Sequence, residues 1–241
     1  NLLRFVFVLF SFKIIIQSIT VIPYFSELTY QFKDFVIFKL DKRNELELNL
    51  QYSTSSNIPR FDALTDLKGD NLKWAEWYYG PQKRLLTSLK LESKKETKIA
   101  DYFTIVAAFQ KIDEDRISRE YQSSQLFSEN EDVFVYSLNA DFLKKLSEKE
   151  VLYYGAEISH NEVNSSATEK NNLTGISIPT QTRYPNGENR ITSLAVYGSI
   201  DKKLYKNLTT TIGARYSYFN NYSTLTDSLL LDFSGCGSQN L

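Results

Sequence analysis

Strict two-residue alternation, carried by segments whose connections are short and long by turns, leaves this chain few folds to choose from. In "ELELNLQY", Leu46, Leu48, Leu50 and Tyr52 alternate with Glu45, Glu47, Asn49 and Gln51. Successive side chains of a strand point to opposite faces, so this ribbon has one oily face and one polar face. "LTTTIGARYSYF" sorts Leu208, Ile212, Ala214, Tyr216 and Tyr218 from Thr209, Thr211, Gly213, Arg215 and Ser217. "DVFVYSLNADF" puts Phe134, Tyr136, Leu138, Ala140 and Phe142 on one side and Ser137, Asn139 and Asp141 on the other. "TIVAAFQ" alternates poorly and leaves its faces open.

About eight such segments form four pairs: 30–40 with 45–53, 83–92 with 99–112, 132–146 with 151–163, and 190–200 with 208–219. Within a pair the connection is short and charged, around Arg43, Lys95, Glu148 and Lys203. Between pairs it is long, over 53–79, 113–132 and 164–189. Alternate connections of an up-and-down meander lie at opposite ends, so all the short turns share one rim and all the long loops the other. Alternating strands of this length with that asymmetry mark an outer-membrane barrel, whose closure satisfies every backbone group in lipid. A soluble antiparallel sandwich also alternates, but does not require the loop asymmetry. The expected fold is therefore all-β: an antiparallel up-and-down transmembrane β-barrel, here partial, with about eight strands of a larger barrel. Trp74, Trp77, Tyr78 and Tyr79 of "WAEWYYG" precede the strand that begins near Lys83. They are expected in the interfacial girdle where that strand enters the membrane, with a ligand-stacking platform as the competing role.

Composition removes several function classes. With 28 basic and 29 acidic residues there is no basic face to expect for nucleic acid. The 16 Tyr and 16 Phe at ordinary overall hydrophobicity suit β structure. One histidine, His160, and one cysteine, Cys236, allow no disulfide framework and no structural zinc site. His160 lies in "EISHNEV" with no nucleophile-elbow pattern in the chain, and "SGCGS" lacks the Lys-Ser/Thr of a phosphate loop. No catalytic residue, no metal and no cofactor are expected, and the chain is read as not an enzyme; an outer-membrane enzyme barrel would need acidic or Ser/His clusters at the rim. Asn-x-Ser/Thr matches at Asn164, Asn172, Asn207 and Asn221 read as turn composition. The one long apolar run, "NLLRFVFVLFSFKIIIQSITVIP", is interrupted by Arg4 and Lys13 and has no Ala-x-Ala-like site, so it stays unassigned. In the loop "SNIPRFDALTDLKGDNLKW", Arg60 and Asp62 flank Phe61. Arg60, Phe61 and Trp74 are the candidate ligand-binding residues, with loop packing as the alternative.

The text "LQYSTSSNIPRFDALTD", followed by "LKWAEWYYGPQKRLLTSLKL", resembles the barrel of a TonB-dependent outer-membrane receptor. "IDEDRISREY", "TRYPNG" and "IGARYSYF" resemble its later strands and loops. The resemblance spans 30–233 and divides the chain into an unassigned apolar segment (1–27), a partial outer-membrane β-barrel (28–233) and an unassigned tail (234–241). Such transporters close about twenty-two strands around a plugged lumen, so the chain reads as an internal fragment of the barrel. The resemblance implies a multi-pass protein of the Gram-negative outer membrane that actively imports a scarce ligand such as a siderophore. Its implied partners are the lipid bilayer, the ligand, and the inner-membrane TonB energy complex, reached through the missing plug region. No residue selects among siderophores, cobalamin, sugars and metal complexes. Two alternatives stand beside it: a complete small eight-stranded barrel with a structural or adhesive role, and a soluble β-sandwich binding module.

Overall fold

Alternating residues become a continuous face only if neighbouring strands share register, and here they do. A computed structural model describes residues 29–226, so the readings placed on 1–27 and 234–241 lie outside the described residues. The strands are β1 (Thr29–Lys39), β2 (Asn44–Ser55), β3 (Ile58–Pro59), β4 (Leu67–Lys68), β5 (Asn71–Leu72), β6 (Trp74–Tyr79), β7 (Lys83–Ser93), β8 (Tyr102–Glu120), β9 (Gln125–Ser147), β10 (Glu150–Asn171), β11 (Ser177–Pro179), β12 (Asn189–Tyr205) and β13 (Leu208–Ser223). One antiparallel sheet carries β1-β2-β7-β8-β9-β10-β12-β13 in that order. These eight are the eight segments expected from alternation, each beside its neighbour in sequence. The second sheet is only the small β4–β5 hairpin, so no sandwich partner covers the large one among the described residues. β1 and β13 form its two edges and do not pair with each other.

Register builds the oily face row by row. Leu48 opposes Leu89, Leu89 opposes Ala107, Ala107 opposes Leu138, Leu138 opposes Ile158, Ile158 opposes Leu194, and Leu194 opposes Tyr218. The large members of this row are each 40–54% exposed. "TIVAAFQ" now has its faces: Ile105, Ala107 and Phe109 join the oily side through Ala140, Leu138 and Tyr136. Two aromatic groups bound this surface. Toward the short turns, Phe103, Phe142 and Tyr154 sit side by side, with Phe142 and Tyr154 stacked at 5.1 Å. Toward the long-strand ends, Phe109 and Tyr136 lie 5.2 Å apart and Tyr136 lies 6.4 Å from His160. Phe134, two residues on, lies under the Lys111 ammonium. From Phe142 to Phe134 a strand runs about 27 Å, a length that, tilted, matches the roughly 25 Å apolar band of such barrels with its aromatic girdles.

The opposite face is polar and nearly coreless. The buried hydrophobic residues among those described are all alanines: Ala63, Ala100, Ala167 and Ala195. Stability on this face comes from ladders and side-chain pairs instead. Asp141, Gly155, Tyr197 and Arg215 stand in one row across β9, β10, β12 and β13. Tyr197 lies across Gly155 and its O–H donates to Asp141, while Arg215 pairs with Glu157. A Cβ on Gly155 would come 2.6 Å from the Tyr197 ring and 2.5 Å from the Ala140 carbonyl oxygen. Glycine is what permits the crossing.

The connections 113–132 and 164–189 differ from the expected loops. β8 and β9 continue as a ladder to Arg119 and Leu126, closed by a turn with Gln122 at φ 61°. β10 runs on to Asn171. Alternation gave no sign of these extensions because both of their faces are polar. Beyond the Asp113–Asp132–Asn164 row, no oily stripe remains for a two-residue pattern to reveal.

At the short-turn rim the 94–101 connection folds back on its neighbours. Lys144 Nζ donates to Asp101 Oδ1 at 2.5 Å and to the Thr97 carbonyl at 2.7 Å, and the Lys145 N–H donates to Asp101 Oδ2. The Lys144 ammonium, then the Lys145 N–H, hold the Asp101 carboxyl below the usual range. A carboxylate lowered in this way stabilises the fold above its ordinary pKa of about 3.9. That contribution is lost as pH falls through the lower native value. Asp101→Asn should therefore lower the urea midpoint of refolded protein at pH 7 and flatten its dependence on pH below about 4. An unchanged midpoint and pH profile would show that the clasp contributes nothing.

Candidate functional site

The 56–82 segment shows how the long-strand rim is furnished. β7 stops at Lys83, opposite Asp113, so the outer part of β8 has a free edge. β6 fills it: Tyr79 opposes Arg116, Trp77 opposes Ser118 and Trp74 opposes Glu120. β3 then adds to β6. Gly80 makes the switch from β6 toward β7, its N–H donating to the Asp115 carbonyl at 2.8 Å. A Cβ there would lie 2.6 Å from the Asp115 Cβ. The β4–β5 hairpin is tethered to the tip of β8 by Lys68 and Glu120 at 2.9 Å.

Arg116 opposes Glu129, one step in register from Glu114 and Glu131 and on the same side of the sheet as Gln110, Asn139 and Ser137. The polar face therefore continues outward into this rim. Arg116 pairs with Glu129 at 3.1 Å and with Glu114 at 3.9 Å. Its guanidinium lies 5.6 Å from the Tyr79 ring and 5.9 Å from the Trp77 ring. Trp77 and Tyr79 meet edge to face at 5.0 Å. Arg60 lies 4.6 Å over Trp77 and grips Asp62 with two nitrogens, at 2.7 and 2.6 Å. The Asp62 carboxylate, then Tyr79, raise the Arg60 pKa; Arg60 in turn holds Asp62 below the usual carboxylate range. Two aromatic rings bracketed by guanidinium groups, beside three glutamates, form a planar and hydrogen-bonding surface suited to a small polar ligand.

Of the residues singled out in the sequence, Arg60 stands in this cluster. Phe61 follows it and is 42% exposed. Trp74 lies three residues farther toward the tip, its ring under the Lys73 ammonium at 4.6 Å. Sequence reasoning weighed Trp77 and Tyr79 for ligand stacking only as the rival to a girdle role, and missed Arg116, Glu129 and Glu131 as site residues. The signal for the two aromatics was the alternation of "WAEWYY" itself, which places Trp77 and Tyr79 on one side. The girdle reading is corrected for Trp77 and Tyr79, which oppose Ser118 and Arg116 and so stand on the polar side of the sheet. β6 lies beyond the Asp113–Asp132 row, and the rim-side belt is built from Phe109, Phe134 and Tyr136 instead. His160 sits in that belt, its nitrogens meeting Thr192 at 2.7 Å and Glu162 at 3.1 Å. No group of three or more His, Cys, Asp or Glu side chains among the described residues has metal-binding geometry.

No family model and no curated protein matches the chain. Solved structures do, among them the crystal structure of the ferric citrate transporter FecA in its unliganded form. The TM-score is 0.52 at 15% sequence identity, over 81% of this chain and 30% of that one. The chain thus spans under a third of the neighbour's length, and the likeness is one of fold: the antiparallel sheet of a β-barrel.

Proposed function

We propose that this chain is part of the wall of an outer-membrane transporter of the TonB-dependent kind, whose long-strand rim receives a scarce small ligand for active import. The observation that carries this reading is the exposed apolar row from Leu48 to Tyr218, bounded by two aromatic belts and backed by a polar face. Water penalises such a surface, and a bilayer rewards it. Beyond the rim-side belt both faces turn polar, as strands projecting into water require. The neighbour's barrel fold supports a larger wall, because the open edges β1 and β13 need strands on either side to satisfy their backbone groups. The polar face then lines a lumen. A siderophore remains one cargo among several, and coupling to the inner-membrane TonB complex would run through a plug domain.

Topology tests the reading directly. In the full-length protein with Cys236→Ser, cysteines at Asp70 and Leu173 should react with an impermeant thiol reagent on intact cells. Cysteines at Arg43, Glu148 and Lys203 should react only after lysis. Equal labelling of both sets, or recovery of the protein outside the outer-membrane fraction, would defeat it. Ligand uptake by the same cells should cease when the inner-membrane proton gradient is collapsed.

A further inference from the structure

Buried polar side-chain atoms left without a partner are uncommon, and each asks for an explanation. Among the described residues five such atoms occur, and one, Asp113 Oδ1, has the Lys111 ammonium at 2.9 Å. The other four fall in one place: both carboxylate oxygens of Glu131, the Ser165 hydroxyl and Arg116 Nε. Glu131 is 4% exposed and Ser165 8% exposed, on a sheet that otherwise buries little. They oppose one another across β9 and β10, and Glu114 opposes Glu131 from β8. Arg116 stands one register step outward, against Glu129. All share the polar face with Trp77 and Tyr79.

Beside Ser165 the 181–187 segment departs from the edge of β10. β11 leaves the edge of β10 at Thr180, whose N–H still donates to the Ala167 carbonyl, and pairing resumes only at Asn189 opposite Val163. The chain between leaves the β10 ladder altogether. Its base is fastened by the Asn189 amide, which donates to the carbonyls of Pro185 at 2.6 Å, Val163 at 3.2 Å and Gly187 at 3.3 Å.

We propose that Glu131, Ser165 and Arg116 form a subsite for an uncharged, hydroxyl-rich ligand of the sugar or polyol class, with Trp77 and Tyr79 beside Arg116. The proposal rests on the transporter reading above. The orphan atoms decide the chemistry. Glu131 offers two acceptors, Arg116 Nε one donor, and Ser165 either. Neighbouring hydroxyls both donate and accept, so one pair of them answers a carboxylate and an N–H together. An anion brings acceptors only. It would leave Glu131 unanswered and meet Glu114, Glu129 and Glu131, while Arg60 is already held by Asp62 and Arg116 by two glutamates. A cation brings donors only and would leave Arg116 Nε unanswered beside two guanidinium groups. The faces of the aromatic rings suit the C–H surface of a sugar ring.

The test uses the full-length protein purified in detergent from outer membranes. It is applied to an array of neutral oligosaccharides (glucans, mannans, xylans and galactans), with ferric citrate as the anionic probe in a parallel equilibrium dialysis. The expected result is retention of at least one neutral glycan and none of the ferric citrate. Glu131→Leu should weaken that retention roughly tenfold or more, as befits a lost charged hydrogen-bonding partner. Ser165→Val should weaken it less, and Lys33→Leu, on an outlying strand, not at all. Each variant must show the heat-modifiable mobility of the parent; if Glu131→Leu does not, Glu131→Gln replaces it, with a smaller loss expected. Retention of no neutral glycan, retention of ferric citrate instead, or glycan retention indifferent to Glu131 and Ser165 overturns the inference. Correct membrane localisation with any of those outcomes leaves the transporter reading standing, whereas failure of localisation removes both.

Discussion

Gly155→Val should abolish the heat-modifiable, folded form of the protein, or lower its urea midpoint more than any other single change on the polar face. The cause lies in one row of the sheet. Tyr197 crosses Gly155 to reach Asp141, and the space a side chain would take is filled by the Tyr197 ring and the Ala140 carbonyl. Forcing added carbons into a packed site usually costs about 1–3 kcal/mol, and here one obstacle is backbone, which cannot swing away. The crossing also fixes how β9, β10 and β12 sit beside one another, so its loss loosens three strands together. Tyr197→Ala in the same chain should recover part of the stability, because it removes the ring but not the carbonyl. Densitometry of boiled and unboiled samples across a urea series measures both. A Gly155→Val protein that folds as the parent does would show that Tyr197 takes another path.

Leu48→Arg should block membrane insertion, while Asn49→Arg at the next position should be nearly silent. Leu48 stands in the long apolar row, opposite Leu89 and Val36, and is 42% exposed. On the lipid face near the middle of the bilayer, arginine costs roughly 2–4 kcal/mol. Asn49 opposes Ser88 on the polar face, where a guanidinium keeps its water. Folding yield into lipid vesicles measures the difference. Equal yields would mean that the oily side of the sheet does not meet lipid.

The eight main strands were legible in the sequence for a simple reason: each had to present one face to an apolar environment and the other to a polar one. Leu46, Leu48 and Leu50 announce that demand locally, and so do Phe134 to Phe142 and Ile212 to Tyr218. The order of the strands followed too, since short turns force neighbours in sequence to be neighbours in space. "TIVAAFQ" was not legible, because its inward Val106 and Ala108 are as apolar as its outward Ile105 and Ala107. Only pairing with Leu138 and Tyr136 told the two faces apart.

The rim shows the limit more sharply. Arg60 was visible through its pattern with Phe61 and Asp62, but its stacking partner Trp77 lies 17 residues away, and Arg116 lies farther still. Nothing local links them; the free edge of β8 beyond the end of β7 draws β6 into place. The same holds for Glu131 and Ser165, ordinary polar residues in polar text, brought together only by the register of β9 and β10. By itself the sequence determined which surfaces must be oily and which wet, since that is a property of each side chain and its alternation. Which distant residues meet on the wet side was decided by the tertiary structure, through register and through strands that outlast their neighbours, because a contact between strands has no periodicity along the chain.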